Sequence, residues 1–255
     1  MSDWRIFFLA ETGSTNDDAR LLADQYAGEF VVWAHNQTAG RGRENRVWHS
    51  TENDSLTFTV LFRPTAKEGQ FLTQFTALGA LAITDVLINQ YSLTAEIKWP
   101  NDVLVGRKKV SGILAESVWN GSQLDGLALG IGINLSDEAY ADEAKLRFPA
   151  TSLKSEGIDL QSRQDFMEKI LLAIQEWRRQ VGSELFMEEW NQRLAFRGEF
   201  LSFKQYLGKT KLLCPVSINP DGSLNVRDRA GNRLTVQSAE TSSSSASSPS
   251  VPASG

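Results

Sequence analysis

Apolar residues at Leu56, Phe58, Val60 and Phe62 alternate with Thr57 and Thr59, and this period of two predicts a half-buried strand with its threonines on the open face. Other stretches switch to helical spacing. Ala19, Leu22, Ala23 and Tyr26 follow Ser14-Thr15-Asn16, residues suited to capping a helix start. Residues 71–91 repeat that spacing, and so do 162–181, where Ser162 caps a helix burying Phe166, Ile170, Ile174 and Trp177; 184–194 continues helical. Short strands are expected at 5–10, 30–34, 95–99, 103–105, 110–119 and 123–135, with hairpin turns at Gly106 and Asn120-Gly121. Residues 36–50 have little apolar periodicity and read as a loop.

Near residue 198 the pattern changes. Four or five short strands follow up to residue 240, punctuated by Gly208, Pro220-Asp221-Gly222 and Ala230-Gly231-Asn232, as in a small barrel. The expected division is therefore one domain over 1–197 and a second over 198–240. Residues 241–255 are almost entirely Ser, Ala, Pro and Gly, too poor in apolar surface to offset the entropy of ordering, and are expected to be disordered.

Composition narrows the function. A net charge of −5 offers no long-range attraction to phosphate backbones, so any anion binding must be local. Cys214 stands alone, which excludes an internal disulfide framework and a cysteine zinc site and fits a reducing compartment. The first residues, Met1-Ser2-Asp3-Trp4-Arg5, carry no secretory pattern, and no apolar run approaches the roughly 20 residues that span a bilayer. A cytoplasmic protein is expected.

Four constellations carry candidate chemistry. Gly40-Arg41-Gly42-Arg43-Glu44-Asn45-Arg46-Val47-Trp48 sets three guanidinium groups on a permissive backbone that can wrap an anion, with an indole to cover an apolar ligand; a solvated basic turn or a nucleic-acid patch is the plainer reading. In Lys98-Trp99-Pro100-Asn101-Asp102, proline ends a strand and Asp102 is a candidate magnesium ligand or base, although Pro-Asn-Asp is also ordinary turn chemistry. Lys109 enters an apolar strand three residues before Gly112, placed to neutralise a carboxylate and a phosphate or simply to reach water. Gly130-Ile131-Gly132-Ile133-Asn134 removes side chains from a strand where a ligand or another backbone comes close, and lacks the third glycine of a dinucleotide fingerprint.

The order of these segments, from Ser-Thr-Asn through Gly-Arg-Gly-Arg, Lys-Trp-Pro-Asn-Asp and Lys-x-x-Gly-Ile-Leu to Gly-Ile-Gly-Ile-Asn, resembles the biotin–protein ligase family over residues 4–135, and more loosely to 240. The resemblance implies an α+β fold: a mixed-sheet catalytic domain related to lipoate ligases and class II aminoacyl-tRNA synthetases, followed by an SH3-like barrel. It implies that biotin and ATP form biotinyl-5′-AMP, which biotinylates a lysine of a biotin carboxyl carrier protein, with Mg2+ as cofactor. Ser14, Thr15, Asn16, Gln37, Gly40, Arg41, Trp48, Gly112 and Gly130 would then bind biotin, Trp48 covering its valeryl chain. Arg41, Arg43, Arg46, Asn101, Lys109 and Asn134 would bind ATP, and Lys109, Asp102 and Arg43 would be catalytic, with Asp102 orienting the acceptor amine or taking its proton.

The chain departs from the family pattern at Arg147-Phe148-Pro149-Ala150, where Phe148 stands in for an indole over adenine, at Ala239 before Glu240, and in its Ser-rich tail. Lipoate or octanoate transfer is the neighbouring enzyme reading, and the Gly-Arg-Gly-Arg loop followed by Trp48 argues against it. A biotin-responsive regulator is the non-enzyme alternative; with the first strand starting near Trp4 no DNA-reading element is expected, and the chain would act as a monomer or homodimer.

Overall fold

The computed structural model describes residues 4–50, 54–140, 148–204, 210–237 and 240–242. Its larger sheet comprises β1 (Arg5–Thr12), β2 (Phe30–Gln37), β3 (Ser55–Phe62), β4 (Ala95–Lys98), β5 (Asp102–Val105), β6 (Lys108–Asn120) and β7 (Gln123–Asn134), in spatial order β1-β2-β3-β7-β6-β5-β4. Only β1 and β2 run parallel, so the sheet is mixed. The β5–β6 hairpin turns on Gly106 and Arg107, both at positive φ (54° and 66°), the geometry that matches strand twist.

Helix α1 (Thr15–Ala23) covers one face of this sheet, burying Ala19 and Ala23 against Phe30, Val32, Leu61 and Ala128. Helices α2 (Gln74–Tyr91) and α3 (Arg163–Arg178) cover the other with α4 (Glu184–Gln192), closing the main core over Phe58, Phe62, Leu78, Leu81, Phe166 and Ile170. Ser162 caps α3 by accepting from the Asp165 amide at 3.1 Å, as its sequence predicts. Ser14 occupies the cap position of α1, yet its side chain makes no capping bond.

Because helices cover both faces, β3 is buried along its whole length, not half-buried as its alternation suggests. Thr57 and Thr59 are as inaccessible as the phenylalanines between them. β2 also runs past its expected end to Gln37, which brings that side chain beside α1.

The smaller sheet is antiparallel, in order β11-β10-β9-β8-β12, from β8 (Leu201–Lys204), β9 (Thr210–Ile218), β10 (Leu224–Arg227), β11 (Arg233–Val236) and β12 (Glu240–Ser242). Its last strand enters the segment expected to lack structure; Ala239 and 243–255 lie outside the described residues. The two sheets share one core, since Phe203, Leu213, Leu224 and Val226 belong to the cluster that holds Phe58 and Leu81. Trp99 Nε1 also donates to the Gly222 carbonyl at 2.9 Å, and Gln74 Nε2 to that of Pro220 at 3.0 Å. Among the described residues no helix is long and apolar enough to cross a membrane.

Candidate active site

One cavity of about 830 Å³ opens at the ends of β5, β6 and β7 beneath the Gly40–Trp48 loop. Most of the motif residues line it, including Ser14, Thr15, Asn16, Gln37, Arg41, Arg43, Arg46, Trp48, Asn101, Asp102, Lys109, Gly112, Gly130 and Asn134. Gly40 lies just behind the lining, where a Cβ would come 2.6 Å from the Trp48 carbonyl.

The inner end is a buried chain of amides and hydroxyls. Gln37 Oε1 accepts from the Thr15 amide at 2.7 Å and from Thr15 Oγ1 at 3.0 Å. Thr59 Oγ1 lies 2.8 Å from Thr15 Oγ1 and 2.6 Å from Asn16 Oδ1, and Asn16 Nδ2 donates to Glu116 Oε2 at 2.7 Å. Each amide is thus held in one orientation by a partner distant in sequence, the kind of preset geometry that lets a pocket read a polar ligand. Thr59 and Glu116 escaped the sequence reading, since one looks solvent-facing by alternation and the other is an unremarked strand carboxylate.

Glycines form the floor. A Cβ on Gly132 would sit 2.3 Å from Trp48 Cε2, and one on Gly112 would lie 3.1 Å from Trp48 Cζ3 and 2.9 Å from Lys109 Nζ. The indole therefore rests directly on backbone, and Gly132 joins the candidate site as a residue the motif reading did not assign. Over Gly130 it is Asn16 that takes the space, since a Cβ there would meet Asn16 Oδ1 at 2.4 Å. The loop doubles back on itself, with Gly42 N donating to Arg46 O at 2.7 Å and Trp48 N to Gly40 O at 2.8 Å, and this seats the indole.

The loop's first arginine is already engaged. Arg41 makes a two-pronged pair with Asp17 at 2.5 and 2.7 Å and reaches Glu116 at 3.5 Å, and its hydrogen bonds hold the Asp17 carboxyl below the usual carboxylate range. Arg43 lies in a single 3-10 turn at Arg43–Asn45, and Arg46 is 3.7 Å from Glu44. Asn101 and Asn134 give their amide hydrogens to backbone: Asn101 to Ile113 O at 3.0 Å, Asn134 to Thr151 O at 3.0 Å. They brace the cavity wall; Asn101 keeps its carbonyl oxygen and one amide hydrogen for a ligand, and Asn134, whose amide also reaches Lys109 O at 3.4 Å, keeps its carbonyl oxygen.

Elsewhere on the lining Asp102 stands between two lysines, with Lys98 Nζ 3.0 Å from Oδ2 and Lys109 Nζ 2.7 Å from Oδ1. Burial by itself would raise this carboxyl, but the charges of Lys109 and Lys98 outweigh it and hold the group well below the usual carboxylate range. So paired, Asp102 is a weak base and suits orienting a cation better than stripping its proton. Nor does it fit a magnesium ligand, for both oxygens face ammonium groups and no cluster of three His, Cys, Asp or Glu side chains converges among the described residues.

The depressed folded value fixes the sign of a pH effect. The ionised group contributes fully above its unfolded value of about 3.9, and that contribution fades as pH falls below it. The stability gap between the wild-type protein and Asp102→Asn is expected to stay level from about pH 8 to 5 and to narrow below about pH 4. Urea melts at stepped pH would check this, and a gap already narrowing at pH 6 would contradict it.

Phe148 lines the cavity, with its ring under the Lys98 ammonium at 4.9 Å and edge-on to Phe196 at 5.7 Å; Arg147 lies outside the described residues.

Comparison with known proteins agrees with this geometry. Residues 8–134 match the biotin/lipoate A/B protein ligase family. The biotin–[acetyl-CoA-carboxylase] ligase of Paracoccus denitrificans is 32% identical over 89% of this chain and 95% of its own length. The bifunctional ligase/repressor BirA of Bacillus subtilis is 35% identical over 64% of this chain, and the match spans half of that longer protein. Among solved structures, the biotin protein ligase from Aquifex aeolicus in complex with biotin and ATP superposes with a TM-score of 0.77 at 27% identity, covering 93% of this chain and 97% of that one.

Proposed function

Because the chain belongs to the biotin protein ligase family, we propose that it attaches biotin to a lysine of a biotin carboxyl carrier protein through biotinyl-5′-AMP. In the first step a carboxylate oxygen of biotin attacks the α-phosphorus of ATP and pyrophosphate leaves. In the second the acceptor ε-amine attacks the acyl carbon, AMP leaves with the bonding pair, and the amine sheds a proton.

One observation carries this reading: a single cavity joins a buried amide and hydroxyl chain at one end to a cluster of cations at the other, across a glycine floor capped by an indole. The polar end suits a urea, whose N–H and C=O groups can pair with Thr15, Asn16 and Gln37. Lys109 would neutralise charge on the carboxylate and α-phosphate as they join, and Arg43 and Arg46 would close the loop over the mixed anhydride. Asp102 would align the incoming amine. Phe148 would flank the adenine, and Asn101 and Asn134 would offer their carbonyls to the nucleotide.

Lipoate transfer fits the inner end poorly, because a dithiolane ring has no donor or carbonyl and would leave buried polar groups unpaired. In this reading residues 1–197 form a catalytic domain akin to lipoate ligases and class II aminoacyl-tRNA synthetases, and 198–240 an SH3-like barrel. Labelled pyrophosphate is expected to exchange into ATP when biotin is present and not when lipoate or octanoate replaces it. No biotin-dependent exchange by the folded protein would overturn the assignment.

A further inference from the structure

The two lysines beside Asp102 are not equivalent. Lys98 and Asp102 are cross-strand partners on β4 and β5, where Lys98 donates an aligned hydrogen bond at 3.0 Å and its side chain is only 10% exposed. Phe148 closes over its ammonium at 4.9 Å. Lys109 reaches the other oxygen as an ion pair without hydrogen-bond alignment, its side chain is 27% exposed, and it faces the cavity beside Trp48. Its main chain is fastened on both sides, N to Pro149 O at 2.8 Å and O from Thr151 N at 2.9 Å, so only the side chain is placed to move.

Two cations on one carboxylate repel each other, and the less enclosed one is the easier to draw away. A buried carboxylate that loses its sole partner is strongly destabilised, whereas one that keeps a partner is not. We propose that Lys98 is a positioning residue for the ligase reaction: it serves as the permanent counter-ion of Asp102, so that Lys109 can leave the carboxylate for the anionic oxygens of the reacting acyl phosphate without stranding a buried charge. The inference rests on the ligase reading above. It assigns the two lysines opposite duties, one fixed and one exchangeable, although both touch the same side chain.

A double-mutant cycle on the full chain tests it, read by biotin-dependent pyrophosphate exchange. Lys98→Met is expected to lower kcat about 100-fold or more, the rate equivalent of breaking a buried pair. KM for biotin should change by less than about twofold, because the head-group end of the cavity makes no contact with Lys98, and Lys98→Arg should recover most of the rate. In the Asp102→Asn background, where no carboxylate remains to hold Lys109 back, removing Lys98 should cost less than about threefold. An equal loss in both backgrounds, which a merely structural lysine would give, overturns the proposal, and so does an undiminished rate in Lys98→Met. Should Lys98→Met fail to fold, the comparison of Asp102→Asn with the double variant decides by itself. Absence of exchange in the wild-type protein would instead remove the ligase reading.

Discussion

Lys109→Ala is expected to slow biotin-dependent pyrophosphate exchange by about 100- to 1,000-fold, the loss typical of removing one charge-stabilising donor from a water-excluded site. Its fold should survive. Asp102 keeps Lys98 at 3.0 Å when Lys109 is gone, so no buried charge is left unpaired, and the lost side chain is partly exposed. The melting temperature should therefore move by no more than about 3 °C, equivalent to about 1 kcal/mol in a chain of this size. Exchange assays and thermal melts on the same preparation separate the two effects. Full turnover would take Lys109 out of the chemistry, and a collapsed melt would make it a stability residue.

Gly132→Val acts from the opposite side of the cavity and is expected to weaken biotin binding by at least about 100-fold in calorimetry, the scale of losing a tryptophan anchor. Gly132 is held in β7 between Thr57 of β3 and Gly112 of β6, so the strand cannot retreat. Its new Cβ would overlap the indole at 2.3 and 2.4 Å, and Trp48 must lift away and take the loop with it. If that is the route, Trp48→Ala should weaken binding nearly as much, and adding Gly132→Val to it should cost little more. Undiminished affinity in Gly132→Val would mean that the indole is not part of the biotin pocket.

The elements of this fold were largely legible because helical and strand periods differ and turn residues punctuate them. Ser162 and the Gly106 turn declare themselves locally, through a cap and a positive φ. What period alone could not reveal is what lies above a strand. Thr57 and Thr59 alternate with apolar residues as surface residues would, yet both are buried, and Thr59 lies against α1 and completes the polar chain.

Residue types and their order brought the site together, but not the pairing within it. Asn16 finds Glu116 100 positions away, and Arg41 finds Asp17 from the next strand connection. Partner choice of this kind depends on tertiary approach, which spacing does not encode. The same limit explains why the sequence did not reveal that the Asn101 and Asn134 amides brace backbone, and why Lys98 drew no role from a motif whose Asp102 it grips.

The bond from the Trp99 indole to the Gly222 carbonyl has a bearing on how the chain can be divided. Trp99 sits immediately before the Pro100-Asn101-Asp102 turn, so the tip of a loop in the smaller sheet buttresses the residues that present Asp102 to the cavity. Severing the polypeptide near residue 198 would leave two fragments with raw apolar sides and the Pro100-Asn101-Asp102 turn without its prop. The C-terminal segment is then a keystone of the cavity wall, not an appendage to it.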